Sequence, residues 1–321
     1  MTPDDLSKAA RLLREGGLVA FPTETVYGLG ADATNEAAVR KVYAVKGRPY
    51  DHPLIVHLAG AYQLELWARD VSPLAMKAAR VCWPGPLTLV LKKQQHVSDV
   101  LTGGQDTIAL RVPRHPIAQK LLEAFGGGIA APSANKFTHI SPTTASAVFE
   151  ELDDAVDMIL DGGACEVGLE STILDLSGDE PIILRPGMLS KEAIEQVLGC
   201  AVTTRVQDVP VPRVPGHHHL HYAPKTKTQL IKTAEITSYL QSLPDDALPV
   251  VCVAHSPTSF PHIDHVQWVN MPSEPVAYAH DIYRTLRALD TEHYKQILIE
   301  AIPEDAAWNA IQDRLSKATG R

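Results

Sequence analysis

Polar and charged side chains that could bind phosphate are concentrated between Phe21 and His57. An apolar run ends at Phe21 and is followed by a proline, the hydroxyl-bearing stretch Thr23–Thr25 and the sequence Tyr-Gly-Leu-Gly; Lys46 and Arg48 come later. Glycines after a strand let the backbone approach a ligand, hydroxyls supply donors, and cations attract phosphate oxygens. The pattern is typical of a site for phosphates and a small polar molecule. A solvated loop beside an ordinary strand-to-helix turn explains the same residues.

An arginine lies within an apolar run further along the chain. The stretch Thr107–Val112 reads TIALRV, which predicts a strand and places Arg111 among apolar neighbours. Burying a guanidinium group is costly unless it meets an anion. We therefore weigh an anion-binding role for Arg111 against an outward-facing position on an edge strand.

Other polar side chains follow or begin predicted strands. Ser133 and Asn135 come just after a short strand predicted over Ile129–Ala131, Ser171 begins another strand, and Arg185 lies at a Pro-Gly turn. A serine and an asparagine in that position can bind phosphate oxygens or sugar hydroxyls, but they are also ordinary turn formers. Residue types alone leave both interpretations open.

The elements that must position these residues alternate between strands and helices. Apolar runs predict strands over Leu18–Phe21 and Leu54–Leu58, and apolar spacing predicts a helix over Asn35–Val45. The stretch Tyr27–Gly30 is interpreted as a glycine-rich turn, and a capped helix is predicted from Ser141. Short strands, helices and glycine-rich turns continue to about residue 200, so one α/β domain is expected there.

A proline-rich stretch, Val206–Pro224, separates this domain from a second alternating region. Its proline density favours an extended linker over a packed element. The run His217–His219 invites a metal hypothesis, but contiguous histidines lack the spacing of a ligand pair, so a metal site is not favoured. From Lys225 onward the alternation predicts a small doubly wound parallel sheet, without a G-x-G-x-x-G dinucleotide fingerprint.

Length and composition indicate a globular protein of two domains. The chain has 321 residues, of which 45% are hydrophobic and 21% charged. Its net charge of −9 disfavours bulk non-specific binding of nucleic acid. No apolar segment reaches the roughly 18 residues of a membrane span, and the charged N-terminus is unlike a signal peptide, so no membrane association and a cytoplasmic location are expected. The four cysteines are far apart, which argues against a zinc or disulfide framework.

Common catalytic signatures do not occur in the sequence. It contains no Walker A loop, no H-E-x-x-H, no G-x-S-x-G elbow and no set of kinase motifs. Ser171 follows Glu170 rather than lying in an elbow, so a serine hydrolase is disfavoured.

Short motifs over nearly the whole chain resemble those of one enzyme family. They occur in the order FPTETVYGLG, KGRP, HPLIVH, WPGPLTLVL, ALRVP, APSAN, GLESTILDL, LRPG and, after the linker, HYAP. In this order they resemble the long form of the threonylcarbamoyl-AMP synthases. The resemblance implies an α/β fold with a YrdC-like twisted mixed sheet and flanking helices over residues 1–203. A linker or lid over residues 204–226 and a small Rossmann-like parallel-sheet domain over residues 227–321 would follow.

The resemblance implies a nucleotidyl transfer reaction. L-Threonine's amine would capture bicarbonate as a carbamate, whose carboxylate would attack the α-phosphorus of ATP and release pyrophosphate. Mg²⁺ would enter with ATP, held by phosphate oxygens rather than by protein side chains. A separate threonylcarbamoyl transferase complex would then modify tRNA. Contact between this chain and tRNA is a further possibility that the resemblance leaves open. No covalent enzyme intermediate is implied, so catalysis would rest on positioning and charge stabilisation.

The resemblance also assigns residues to these substrates. Its Lys-x-Arg and Ser-x-Asn tetrad corresponds to four catalytic residues, Lys46, Arg48, Ser133 and Asn135. The L-threonine positions correspond to Thr25, His57, Arg111, Ala131 (through its backbone) and Ser171. The ATP positions correspond to Arg48, His52, Thr107, Ser133, Ser141, Arg185 and Tyr222. Arg111 would hold the threonine carboxylate, because a guanidinium fork binds a carboxylate through two hydrogen bonds.

The linker contains a residue expected to contact the nucleotide and a sequence that differs from the usual family pattern. Tyr222 corresponds to a tyrosine that reaches back to the nucleotide, so the linker is interpreted as a lid that excludes water; a loose tether is the alternative. His217–Leu220 replaces Met-Lys-Tyr-Arg or a similar sequence, and titratable histidines in place of two constant cations would weaken lid closure as pH rises. His52 is the other departure, because it stands where the family usually has asparagine.

Two other functions are compatible with a YrdC-like domain. An RNA-binding module would use a concave basic face, and the mildly acidic composition weighs against it. A carbamoyl-phosphate-dependent carbamoyl transferase, as in hydrogenase maturation, usually carries acylphosphatase and zinc-finger modules, and neither is present in the sequence. Salt-sensitive RNA binding without ATP turnover would favour the first, and use of carbamoyl phosphate the second.

Overall fold

The backbone of the chain forms two compact units. The computed structural model describes residues 2–204, 211–216, 221–256, 262–290 and 293–320. The first unit consists of Met1–Phe137 and Ser141–His217, and the second of Thr138–Ile140 and His218–Arg321. The stretch expected to be a linker therefore contributes to both units, and three residues that interrupt the sequence of the first unit belong to the second.

Ten strands of the first unit form one mixed sheet, as the family resemblance implies. They are β1 (Val19–Phe21), β2 (Gly28–Asp32), β3 (Ile55–His57), β4 (Leu87–Lys92), β5 (Thr107–Arg111), β6 (Ile129–Ala130), β7 (Met158–Ile159), β8 (Thr172–Asp175), β9 (Ile182–Arg185) and β10 (Thr203–Thr204). Their order across the sheet is β10-β9-β8-β4-β5-β3-β6-β2-β1-β7. The β3–β5 and β4–β8 pairs are parallel, whereas β4–β5, β3–β6 and β2–β6 are antiparallel.

The helices of the first unit begin and end where local signals place them. They are α1 (Pro3–Arg14), α2 (Glu36–Lys46), α3 (Leu64–Trp67), α4 (Pro73–Cys82), α5 (Asp99–Thr102), α6 (Pro116–Phe125), α7 (Ala145–Leu152) and α8 (Lys191–Leu198), with 3₁₀ turns at Ala61–Gln63 and Asp153–Ala155. Helix α2 begins after Asn35, whose side chain accepts from the N–H of Ala38, and ends at Gly47 in a left-handed conformation. Helix α7 begins later than predicted, because Thr144 rather than Ser141 caps it.

The two faces of the mixed sheet are covered differently. One face packs against α2, α4 and α8 in a large apolar core. On the other face, Phe21 and Ile129 pack against α1 and α6. A smaller apolar patch on that face includes Ile55, Ala109 and Ile173, from strands in the middle of the sheet. This patch lies beside the predicted site residues.

The prediction of a glycine-rich turn at Tyr27–Gly30 is wrong. Residues from Gly28 onward form strand β2, which pairs antiparallel with β1. A Cβ on Gly30 would lie 2.9 Å from Ile129 Cγ2 and 2.9 Å from Phe21 Cε1, closer than real Cβ contacts. Gly30 is therefore required for close packing inside the sheet rather than for approach to a ligand.

Replacing Gly30 by alanine should lower the free energy of unfolding by about 1–3 kcal/mol, because the added methyl group overpacks the sheet. Gly178→Ala is the matched control, since its Cβ would meet no atom within 4 Å. Urea unfolding of the two variants measures the difference. Equal stability of both would contradict this packing role.

The second unit is a small all-parallel sheet with helices, which confirms the predicted Rossmann-like architecture. Its strands are β11 (Thr228–Ile231), β12 (Val250–Ala254), β13 (Val266–Asn270) and β14 (Gln296–Glu300), in the order β11-β14-β12-β13. Its helices are α9 (Thr233–Gln241), α10 (Pro275–Leu289) and α11 (Asn309–Ala318), with 3₁₀ turns at Asp245–Ala247 and Ala306–Trp308. Within the described residues of the whole chain, none of the helices has the length and apolar character needed to cross a membrane.

Candidate active site

Strand β2 aligns the loop that carries Ser133. The N–H of Leu29 donates to the carbonyl of Pro132 over 2.8 Å, and the N–H of Ala134 donates to the carbonyl of Tyr27 over 2.9 Å. Gly28 and Ser133 form an isolated antiparallel bridge between these bonds. The loop therefore runs along β2 like a further strand, and this pairing fixes the backbone position of Ser133.

Lys46 also holds this loop. It is the last residue of α2, and its Nζ donates to the carbonyl of Ser133 over 2.5 Å and to the carbonyl of Asn135. The side chain is buried, and this burial, with a smaller contribution from Arg48, lowers the pKa of Lys46 well below its usual value. The carbonyl of Lys46 in turn accepts from the N–H of Phe137 over 2.7 Å. Lys46 thus acts on the loop backbone.

Arg48 and His52 surround the ring of Phe137. The guanidinium carbon of Arg48 lies 6.0 Å from the ring centroid of Phe137, and the His52 ring meets the same ring edge-on at 5.2 Å. Arg48 Nη2 also donates to the carbonyl of Pro53 over 3.0 Å. The predicted ATP-binding cation and imidazole are therefore brought together beside the end of the loop that Lys46 holds.

Arg111 forms a buried ion pair that the sequence analysis missed. Its Nη2 lies 2.8 Å from Glu24 Oε1, and the two side chains are 4% and 2% exposed. This contact pairs the two charges, although Nη2 has no acceptor at good hydrogen-bond geometry among the described residues. Burial alone would raise the pKa of Glu24, but the charge of Arg111 and hydrogen bonds outweigh it and the pKa is lowered.

The remaining donors of Arg111 lock the guanidinium in one orientation. Its Nε donates to the carbonyl of Gly85 over 3.3 Å, and its Nη1 donates to Thr25 Oγ1 over 2.9 Å. The hydroxyl hydrogen of Thr23 is donated to the carbonyl of Val26. Thr25 is therefore the donor in the 2.8 Å hydrogen bond between the two threonine hydroxyls. With its hydrogen committed, Thr25 Oγ1 can only accept from a further group.

Strand alternation brings further predicted residues to the same face. Arg111 is two residues after Ala109, and His57 is two residues after Ile55, so both lie on the face of the apolar patch. His57 and Arg111 are also direct partners in the parallel β3–β5 register. The N–H of Ala131 donates to the carbonyl of Ile55 over 2.9 Å, which places its backbone beside the same strand.

Ser171 lies just before β8 and is enclosed by polar partners. Its Oγ lies 2.7 Å from Thr88 Oγ1 and accepts from Arg185 Nη2 over 3.2 Å. Arg185 also donates from Nη2 to the Ser171 carbonyl over 2.9 Å and from Nη1 to the Pro215 carbonyl over 3.1 Å. The predicted ATP-binding Arg185 therefore connects a predicted threonine-binding residue to the stretch expected to be a lid.

Residues 211–216 of that stretch are docked on the first unit. The N–H of Arg213 donates to Gln105 Oε1 over 2.6 Å, and Gln105 Nε2 donates back to the Arg213 carbonyl over 3.1 Å. The Arg213 guanidinium reaches the carbonyls of Asp51 and Gly103 at 3.3 and 2.8 Å. Next to it, Val214 is buried in the apolar patch. This part of the predicted lid thus lies on the face that carries Arg111.

His57 is a neutral imidazole throughout the physiological range. It is 3% exposed and meets the Phe21 ring edge-on at 5.9 Å. Burial, followed by the charge of Arg111, lowers the pKa of His57 from 6.5 to about 3. At neutral pH it can therefore exchange hydrogen bonds with a ligand but adds no charge.

The lowered pKa of His57 should make the protein sensitive to mild acid. Because the unfolded chain binds this proton below pH 6.5 and the folded chain only below about pH 3, stability is lost as pH falls between these values. At pH 5 the loss attributable to His57 is about 2 kcal/mol. His57→Gln should flatten this part of the stability profile in urea unfolding from pH 7 to 5. The exposed His96→Gln is the control, and equal slopes in both variants would contradict the assignment.

Two further predicted ATP contacts lie in different surroundings. Ser141 Oγ donates to Glu170 Oε1 over 2.6 Å, and both residues are buried. Thr107 begins β5 opposite Lys92, four residues from Arg111 at the other end of the strand. At about 3.3 Å per residue, the strand separates these two positions by roughly 13 Å.

Tyr222 is placed in the second unit. It is 1% exposed, and its ring stacks on that of Tyr283 at 5.8 Å with the Arg314 guanidinium 5.3 Å from its centroid. The expected contact of Tyr222 with the nucleotide stays a prediction. The histidines of His217–His219, for which metal binding and pH-dependent closure were considered, lie outside the described residues.

The residues that sequence reasoning missed are neighbours of residues that it found. Glu24 lies between two threonines of the first motif, and Glu170 directly precedes Ser171. An acidic residue inside an otherwise apolar or hydroxyl-rich motif was the available signal. Gln105 carried no such signal, because its partner at Arg213 is distant in sequence.

Comparison with known proteins identifies the family. A family model described as Telomere recombination matches residues 11–187, and one described as Threonylcarbamoyl-AMP synthase, C-terminal domain, matches residues 189–320. The threonylcarbamoyl-AMP synthase of Pyrococcus abyssi is 39% identical, over 97% of this chain and 93% of the relative. The chain belongs to the threonylcarbamoyl-AMP synthase family. The threonylcarbamoyl-AMP synthase of Bacillus subtilis is also 39% identical, over 98% of this chain and 93% of the relative.

Membership of the threonylcarbamoyl-AMP synthase family covers both units and makes the chain an enzyme. A solved structure of Pyrococcus abyssi Sua5 complexed with L-threonine matches with a TM-score of 0.90 and 38% identity, covering 98% of this chain and 94% of that one. The resemblance recognised from the motifs is thereby confirmed, as are the mixed and parallel sheets of a long-form synthase.

Proposed function

We propose that this chain joins L-threonine, bicarbonate and ATP into threonylcarbamoyl-AMP. The observation that carries the proposal is Arg111, a buried guanidinium that lies on the face of the apolar patch and is fixed by Gly85, Thr25 and Glu24. A guanidinium has five N–H donors, and the contacts with Gly85, Thr25 and Glu24 occupy three of them, so donors remain for a ligand. A carboxylate fits this requirement best, because it binds a guanidinium through charge-assisted hydrogen bonds.

We assign threonine to the face that carries the apolar patch. Its carboxylate meets Arg111, and its polar groups lie near Thr25, His57, Ser171 and the backbone of Ala131. Since Thr25 Oγ1 can only accept, it is suited to the ammonium or hydroxyl of the substrate rather than to its carboxylate. Neutral His57 adds no charge that would compete with Arg111 for the carboxylate.

We assign ATP to the loop that β2 and Lys46 hold. Arg48, His52, Ser133 and Asn135 lie on or beside this loop, and Ser141 follows it along the chain. The lysine acts as a positioning group, because its hydrogen bonds reach the backbone of Ser133 and Asn135. Thr107, Arg185 and Tyr222 remain candidates for the nucleotide on the strength of the motif match.

The chemistry needs no nucleophile from the protein. The threonine amine attacks bicarbonate, forming the carbamate and releasing water, and a carbamate oxygen then forms a bond to the α-phosphorus while the bond to pyrophosphate breaks. The protein's contribution is to bring these groups together and to balance charge. Mg²⁺ bound with ATP would supply further charge neutralisation. Hard phosphate oxygens would hold it, and the described residues offer no cluster of three or more His, Cys, Asp or Glu ligands.

We also propose how the product is used. A mixed anhydride of a carbamate and AMP is an activated group donor, so the next step is transfer to a nucleophile. The family resemblance supports a separate transferase complex acting on tRNA as the next step, and a cytoplasmic location fits that step. Direct contact of this chain with tRNA would favour hand-over of the product without diffusion.

The experiment is a product assay with the full chain. Labelled L-threonine, bicarbonate, Mg²⁺ and ATP are incubated with the protein, and the nucleotides are separated. A threonine-labelled AMP species that requires bicarbonate, with an equal amount of pyrophosphate, is the expected result. Pyrophosphate release without the labelled adduct would show that the acceptor is wrong, and carbamoyl phosphate replacing threonine would point to a carbamoyl transferase.

A further inference from the structure

A tripeptide of the second unit lies between two groups of proposed ATP-binding residues. Thr138–Ile140 belongs to the second unit, although the chain on both sides belongs to the first. Asn135 lies three positions before this tripeptide, and Ser141 follows it directly. Any group that fixes the tripeptide therefore also restricts the path of the nucleotide-binding backbone on both sides.

Two hydrogen bonds hold the tripeptide by its backbone carbonyls. The N–H of Ala223 donates to the carbonyl of Thr138 over 2.9 Å. Arg287 Nη2, from helix α10, donates to the carbonyl of Ile140 over 2.5 Å. Ile140 is 3% exposed, so water could hardly replace Arg287 as the hydrogen-bond donor to its carbonyl. A buried carbonyl that loses its donor bears a desolvation cost.

The backbone of the tripeptide is held in an unfavourable conformation. Thr138 has a φ of +71°, in the left-handed region. A β-branched residue rarely adopts this region, because its side chain clashes with the backbone there. Such strain persists only where surrounding contacts enforce it, and it concentrates at functional sites.

The donors that enforce this conformation are themselves anchored in the second unit. Ala223 follows Tyr222, which has a φ of +60° and whose ring contacts both the Tyr283 ring and the Arg314 guanidinium. Arg314 is fixed in turn by Asp313, whose carboxylate lies 2.6 Å from its Nη1. Arg287 projects from the last turn of α10, a helix of 15 residues.

We propose that Arg287 is a positioning residue for ATP, through which the C-terminal unit fixes the backbone between Asn135 and Ser141. This proposal rests on the proposed function, which assigns ATP to this part of the chain. It gives the C-terminal unit a direct part in nucleotide binding, by way of three residues that interrupt the catalytic domain's sequence. Most residues assigned to threonine, including Thr25 and Arg111, lie far from this tripeptide in the sequence, so threonine binding should depend much less on Arg287.

The test separates binding of the two substrates in the full chain. Arg287→Met keeps the length of the side chain but removes its donors, and should raise KM for ATP about tenfold while KM for L-threonine changes less than twofold. Arg287→Lys restores one donor and should recover part of the loss. Arg284→Met is the matched control, because Arg284 lies on the same helix and is exposed apart from its 2.8 Å contact with Asp281.

A second measurement monitors the backbone without relying on turnover. Hydrogen–deuterium exchange of peptides covering residues 133–144, and of the Ala223 amide, should accelerate in Arg287→Met and not in Arg284→Met. The proposal is overturned if KM for ATP and the exchange rates match the control, or if both KM values rise together with general unfolding. If wild-type protein makes no threonylcarbamoyl-AMP, the proposed function fails, while exchange still decides whether Arg287 fixes this backbone.

Discussion

Replacing Arg111 by alanine should greatly reduce threonine-dependent product formation. The substitution removes the guanidinium proposed to hold the threonine carboxylate, and charge-assisted hydrogen bonds of this kind support a loss of about 100- to 1,000-fold in kcat/KM for threonine. It also leaves Glu24 buried without its counter-ion, which should cost about 3–5 kcal/mol of folding free energy. Kinetics with varied threonine, together with thermal unfolding, measure both effects.

Arg111→Lys separates charge from geometry. A lysine at this position keeps a positive charge for Glu24 but lacks the planar fork that reaches Gly85, Thr25 and a carboxylate together. Stability should therefore recover more than activity does. Since the folded pKa of Glu24 is lowered, the stability that its carboxylate contributes is present above its unfolded pKa and is lost as pH falls through the folded value. Full activity in Arg111→Ala would remove the basis of the proposed function.

Replacing Lys46 by methionine should reduce kcat/KM for ATP by roughly 100-fold or more, because small displacements of positioned groups are costly in catalysis. The substitution removes the donors that hold the carbonyls of Ser133 and Asn135, while the apolar part of the side chain is kept. The two carbonyls lose their partner, so the loop is free to leave the path set by β2. Steady-state kinetics with varied ATP measure the effect.

Lys41→Met provides the control for Lys46→Met. Lys41 lies on the same helix, and its Nζ donates to the carbonyl of Gly16 over 2.7 Å, away from the Ser133 loop. Both variants should remain folded by circular dichroism, and only Lys46→Met should lose ATP-dependent activity. Comparable kinetics in the two variants would show that the loop keeps its position without the buried ammonium.

Most elements were predictable where a local signal coincided with tertiary packing. The apolar spacing over Asn35–Val45 and the apolar run of β5 carried such signals, and α2 and β5 form there. Strand β2 was missed because glycine is a turn signal locally. Only the contacts of Gly30 with Phe21 and Ile129 show why the strand needs glycine.

The candidate site was predictable in its residue types but not in its pairings. Motif matching named Lys46 and Arg111, whereas their partners come from distant parts of the sequence. Thr25 and Arg111 are 86 positions apart, and Lys46 and Ser133 are 87. Local sequence patterns carry no information about which buried groups meet across such distances, so the role of Lys46 as a loop anchor and the pairing with Glu24 emerged only in three dimensions.

The strand order also has a consequence for synthesis of the chain. Val19 of β1 pairs with Met158 of β7, and Asp32 of β2 pairs with Ile129 of β6. At a ribosome's pace of about 5–20 residues per second, β1 waits several seconds or more for its outer partner. During that interval apolar strand edges are exposed, which makes the nascent N-terminal half a natural client for chaperones. The strands of the second unit, which pair within a shorter stretch, emerge only after the sheet can close.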